Sequence, residues 1–240
     1  MEKNSVLLSG KLGDLFHSLY IPNYLYRTTG KRSILYVTDE VEVFERGIDA
    51  TIAELVPLLS QQPFFYDIRK WQGEPIQYNT TIFRKSPLLY RTGWTNIMHN
   101  LYFSRRSPLI GPWLETMPTG EDMGLVISRI PKTEMTETIG QWYYDLIQIF
   151  SSAKFLGSES EYNAFPLRSI CEFVQSSTIE KNSRIIASSK LFIGNQSSPL
   201  ALAWALGVNR AAELLPDPHP DFIHYEAEKE YYNFESILTK

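Results

Sequence analysis

The 240-residue chain reads as an α/β protein made of two Rossmann-like halves that face each other across a cleft. Three observations lead there. Short apolar runs alternate with helical patterns along the chain, which predicts parallel sheets covered by helices. A Pro/Gly-rich break at 105–120, with Pro108, Gly111, Pro112, Pro118 and Gly120, divides the alternation into residues 1–112 and 113–240. Each half also holds a strand, a turn of small residues and a helix. Ser9-Gly10-Lys11-Leu12-Gly13-Asp14 follows Val6-Leu7-Leu8, and Gly194-Asn195-Gln196-Ser197-Ser198-Pro199 follows Lys190-Leu191-Phe192-Ile193.

In the first half, a strand at 5–9 leads to a helix at 14–28 that Gly30 closes as a C-cap. A second strand spans 33–38. Ile48, Ile52, Leu55, Val56 and Leu59 stand at helical spacing and predict a helix over 48–59. Strands at 64–68 and 78–83 follow, then a partly helical aromatic segment at 87–102. In the second half the order is strand 124–130, helix 141–151, strand 154–157, helix 161–169, strand 171–175, helix 179–188, strand 191–194, helix 199–207 and strand 211–215. The proline loop after 215 leads to an acidic, aromatic tail with a helix at about 229–238.

Composition narrows the function. A formal net charge of −4 argues against a general nucleic-acid binder, which relies on excess Lys and Arg. The one cysteine, Cys171, rules out an intramolecular disulfide, fits a reducing compartment and borders an apolar run as a packing residue would. No apolar run nears the ~18–20 residues of a membrane span, and no signal-peptide core precedes the first strand. The reading is a cytoplasmic protein that touches a membrane at most by its surface. His99, His219 and His224 lack metal-ligand spacing, and no Asp-x-Asp ends an apolar strand, so neither a metal nor a bound cofactor is expected.

The two turns carry the chemistry. A helix N-terminus presents unpaired N–H groups and a partial positive charge, which suits anions. Gly10, Lys11 and Gly13 form one such turn, although its spacing matches neither a dinucleotide fingerprint nor a phosphate-binding Walker loop. Asp14 is either a helix cap or a carboxylate placed to take a proton from a hydroxyl. His17 shares its helix face and either orients Asp14 or packs. Gly194, Asn195, Gln196, Ser197 and Ser198 make the stronger diphosphate cradle, with Pro199 suited to the helix start. The alternative is an ordinary capped turn. Arg129 ends a strand on the same side and serves either a phosphate or solvent. Glu159 and Glu161 follow another strand end, as ribose ligands or as first-turn acids. Glu213, inside an apolar run, faces either the cleft or solvent.

The stretch Leu8 to Leu19 resembles the opening of bacterial ADP-heptose:lipopolysaccharide heptosyltransferases: a strand, a turn ending in Gly-Asp, and an apolar helix with His three residues after the Asp. The stretch 192–207 resembles that family's donor turn and following helix. The resemblance implies the GT-B fold and an inverting, metal-independent glycosyltransferase. It implies Asp14 as the base and Gly194, Ser197 and Ser198 on the diphosphate. Gln196, Ser197 and Ser198 stand where the family usually has Asp-Thr-Gly, and Ala201 where it has His. Either the donor differs or the activity is altered. The expected partners are a nucleotide-sugar donor and a glycan or lipid-linked glycan acceptor, with the chain a monomer and the 105–120 break its hinge. Two rivals stand beside this reading: a nucleotide-sugar epimerase or hydrolase, and a non-catalytic nucleotide-sugar or glycan-binding module.

Overall fold

The computed structural model describes residues 2–85, 94–103, 112–132, 134–150 and 152–213. They form two compact units, Met1–Thr116 with Ala205–Gly207, and a second that begins at Met117. The division falls between Thr116 and Met117 rather than after residue 112. The reason is local. The Trp113 indole donates to the Phe16 carbonyl (2.7 Å), and the Glu115 N–H donates to the Gln62 side chain (2.8 Å). These bonds keep the start of the expected second half with the first unit.

The first unit holds a parallel sheet ordered β3-β2-β1-β4, from β1 (Asn4–Leu8), β2 (Ser33–Val37), β3 (Phe65–Lys70) and β4 (Tyr78–Asn79). Its central strands are nearly unbroken apolar runs because helices cover both faces of a parallel sheet. Val6, Leu8, Leu35 and Val37 are buried. The helix expected at 14–28 is two helices, α1 (Leu12–Ser18) and α2 (Tyr20–Thr29). Pro22 explains the break: it has no N–H to give to the Ser18 carbonyl. Gly30 ends α2 in the left-handed region (φ 70°) with its N–H on the Tyr26 carbonyl (2.7 Å). Helix α3 (Ile48–Leu59) spans the expected residues. The strand expected at 78–83 stops after two residues and becomes a 3₁₀ turn, Thr80–Lys85. There the Thr80 hydroxyl donates to the Leu7 carbonyl (2.7 Å), and the Asn79 side chain accepts from the Thr81 N–H and hydroxyl. Helix α4 (Trp94–Phe103) completes the unit.

The second unit holds a parallel sheet ordered β7-β6-β5-β8-β9, from β5 (Leu125–Ser128), β6 (Ala153–Gly157), β7 (Glu172–Gln175), β8 (Leu191–Asn195) and β9 (Arg210–Glu213). Counted within the unit this is 3-2-1-4-5, the doubly wound order, whose direction reverses between β5 and β8. Helices α5 (Glu137–Ile149), α6 (Glu159–Ala164), α7 (Ile179–Ala187) and α8 (Ser198–Ala205) connect the strands. Helix α5 begins four residues earlier than its apolar periodicity suggests because the Thr136 hydroxyl caps the Ile139 N–H (3.3 Å). Its Trp142, Tyr143, Leu146 and Ile147 join Leu125, Ile127, Phe155 and Ile193 in one core. Fully burying each such side chain contributes about 1.5–3 kcal/mol. No helix among the described residues is long and apolar enough to cross a membrane. The tail after 213 and its expected helix lie outside the described residues, as do His219 and His224.

Gly194 sits mid-sheet, where a Cβ would stand 2.8 Å from the Ser128 carbonyl oxygen and 3.0 Å from the Phe192 ring. Gly194→Ala should therefore overpack β5 against β8 and cost about 1–3 kcal/mol. Thermal unfolding is the check, with a fall of about 2–4 °C per kcal/mol for a chain of this size.

Candidate functional site

Both turns singled out in the sequence lie at the carboxyl ends of strands where the strand order reverses, after β1 in the first sheet and after β8 in the second. In open α/β sheets this is where ligands bind.

In the first unit, Lys11 is the N-cap of α1, so Asp14 is the third residue of the helix and not its cap. Its carboxylate reaches back to accept the Lys11 backbone N–H (3.2 Å). Asp14 is 4% exposed, folded beneath Gly10, whose φ of 104° only glycine adopts readily. A Cβ on Gly10 would stand 2.8 Å from the Asp14 Cβ and closer still to its carboxylate. The missing side chain at 10 is thus the space that Asp14 occupies. The Lys11 side chain is exposed and pairs with Glu42 (3.4 Å), a solvated contact of small energetic weight. Gly13 lies inside the first turn of α1. His17 is buried, its ring centroid 6.4 Å from that of Trp113.

In the second unit the turn between β8 and α8 is built from both flanking strands. The Asn195 carboxamide accepts the Ile130 N–H (3.1 Å) and donates to the Ile130 carbonyl. This is a two-bond clip between the ends of β8 and β5. The Lys132 ammonium donates to the Gln196 carbonyl (2.9 Å). Ser197 gives its hydroxyl to the Asn195 carbonyl (3.0 Å), and its own carbonyl takes the first helical bond, from the Ala201 N–H (3.1 Å). The helix thus begins at Ser198, one residue before the position expected for Pro199. Pro199 supplies no N–H, so the donors of this first turn come from Ser197, Ser198 and Leu200.

Arg129 does not face an open anion site. Its guanidinium forks onto Glu213, Nε to Oε2 at 2.7 Å and Nη2 to Oε1 at 2.8 Å, with both side chains about 95% buried or more. The Tyr143 hydroxyl donates to the same Oε2 (3.0 Å). Burial works against the guanidinium charge, but the Glu213 hydrogen bonds and charge outweigh it and raise its pKa. Burial, with the Glu213 charge next, pushes the Tyr143 hydroxyl well above its ordinary value, so it stays protonated as a donor. Arg129 is therefore neutralised inside the protein, and Glu213 is a buried partner of Arg129 and Tyr143 rather than a residue facing solvent.

Glu161 also has an internal role. It is the third residue of α6, accepts the Ser158 N–H (2.6 Å) and hydroxyl (2.8 Å), and forms a capping box with it. Glu159 is exposed in the same turn. Cys171 is buried and its thiol is pushed up to about 11 by that burial, so it is protonated at neutral pH, as a packing residue would be. Sequence reasoning passed over Lys132. The available signal was a cation four residues beyond the end of an apolar strand, at a sheet edge already marked for ligands.

No protein family's sequence profile matches the chain, and no characterised protein matches it by sequence. Solved structures do. The glycosyl transferase family 9 protein of Veillonella parvula aligns with a TM-score of 0.58 at 12% identity, over 100% of this chain and 92% of that one. ADP-heptose lps heptosyltransferase II of E. coli gives 0.58 at 14%, over 92% and 87%. The E. coli heptosyltransferase WaaC with ADP-2-deoxy-2-fluoro heptose gives 0.52 at 11%, over 91% and 90%. At these identities the likeness establishes the fold: two Rossmann-like domains of the GT-B type.

Two substitutions test these internal roles. Glu213→Ala strands the Arg129 charge in a buried setting and should cost about 3–5 kcal/mol in urea unfolding. Glu161→Gln keeps an oxygen for the capping box, so stability should stay within about 0.5 kcal/mol.

Proposed function

We propose that this protein is a metal-independent glycosyltransferase. It moves a sugar from a nucleotide-diphosphate sugar to a hydroxyl of a glycan or lipid-linked glycan, with inversion. The observation that carries the reading is the placement of both turns at the order-reversal points of two parallel sheets. It is supported by a fold shared with a heptosyltransferase whose structure holds an ADP-sugar analogue.

In this reading the second unit carries the donor. The N–H groups at the start of α8 and the Lys132 ammonium meet the diphosphate, while Gly194, Asn195 and Gln196 set the course of the turn. Asp14 of the first unit takes the proton of the acceptor hydroxyl. The freed oxygen attacks the anomeric carbon. The bond from that carbon to the diphosphate oxygen breaks, and its electron pair leaves with the nucleoside diphosphate. The Lys11 N–H on Asp14 fixes the direction of the carboxylate without neutralising it. His17, packed near Trp113, supports the helix that carries the base.

The internal commitments of Arg129, Asn195 and Glu161 favour one second reading, a donor-binding module without transfer. A donor-consumption assay with and without acceptor separates the two. Transfer consumes donor only with acceptor, a hydrolase or epimerase consumes it without, and a module does neither.

Asp14→Asn retains an oxygen for the Lys11 N–H but loses the basicity. Turnover should fall by about 10²–10⁴-fold while the melting temperature and nucleotide affinity hold. Near-normal turnover would remove Asp14 from the role of base.

A further inference from the structure

Glu213 ends β9, and no step of the proposed transfer uses it, yet three elements of the second unit converge on its carboxylate. Arg129 comes from the end of β5, Tyr143 from α5, and the backbone of Glu213 itself belongs to β9. Strand β8 runs between β5 and β9, and Asn195 is the β8 residue paired with Glu213. The Arg129–Glu213 pair therefore spans β8 at the level where the candidate donor turn begins.

The segment that starts with Arg129 is the one that shapes that turn. Its next residue, Ile130, is clipped by Asn195, and Lys132 holds the Gln196 carbonyl. Arg129 is anchored by a two-bond planar fork, which fixes direction as well as distance. An apolar pair of equal volume would fill the space without fixing the direction.

We propose that Glu213 is a positioning residue for the donor. Through Arg129 it holds the segment 129–132 in the place from which Ile130 and Lys132 set the diphosphate-binding turn. The proposal rests on the donor-turn reading above. Glu213 itself touches no substrate.

The test uses the full chain and the double variant Arg129→Met/Glu213→Leu. Replacing a buried ion pair by apolar side chains of similar volume commonly preserves stability. Isothermal titration with ADP, GDP, UDP, CDP and dTDP, and with the matching nucleosides, is run on wild type and variant. The expected result is a folded variant that binds the nucleoside within about two-fold of wild type but the diphosphate about ten-fold more weakly. A general loss of packing would weaken both. Equal diphosphate affinity in the folded variant overturns the positioning role. If wild type binds none of the five diphosphates, the donor-turn reading itself falls. Should the double variant not fold, Tyr143→Phe removes one bond to Glu213 and should weaken diphosphate binding about three-fold. No change there also overturns the proposal.

Discussion

Inside the second sheet a full positive and a full negative charge are held almost out of water, and much of the geometry nearby follows from the need to compensate them. Removing either ion from solvent costs several kcal/mol, and only near-ideal hydrogen bonding recovers it. The Arg129 fork, with the Tyr143 hydroxyl added, meets that demand. To do so, β5, β9 and α5 must stand in one relation to β8. A sheet held by apolar contacts alone could slide slightly. One crossed by a bidentate ion pair has far less freedom, and the turn leaving β8 inherits that precision.

The first unit reaches its order by other means. Its turn depends on a backbone that only glycine tolerates at residue 10, and on a carboxylate that fills the space beside it. Asp14 accepts the backbone N–H of Lys11, the N-cap of its own helix. One unit thus ties its turn together by bonds between strands distant in sequence, while in the other Gly10, Lys11 and Asp14 fit one another within five residues.

Local patterning made most of the fold legible. Unbroken apolar runs gave the central strands, helical spacing gave α3, and glycine in a left-handed conformation ended α2 as expected. Pro22 and the Thr136 cap account locally for two departures, while others have causes remote in sequence. The strand after Tyr78 was cut short by a hydroxyl bond to Leu7, 73 positions away, which no local pattern reveals. The same holds at the candidate site. Read singly, Arg129 was open to a phosphate or to solvent and Glu213 to the cleft or to solvent, because their partnership lies 84 positions apart. A hint was present: each charge adjoins or interrupts a buried apolar run, and two opposite charges so placed in one sheet invite pairing. Glu161 was open to either reading because ribose ligands and first-turn caps favour the same residue at the same strand end.

The close seat of Asp14 beneath Gly10 has a consequence for how this turn could change over generations or in a directed-evolution library. Neither position can change in size on its own merits. Any residue with a side chain at 10 both strains the backbone and runs into the carboxylate, so variation there becomes reachable only after the side chain at 14 has shortened. Shortening it first removes the acceptor that closes the turn. The pair is therefore an evolutionary ratchet: each partner blocks a single-step change in the size of the other, and only an exchange that keeps both bulk and acceptor at 14 is open singly.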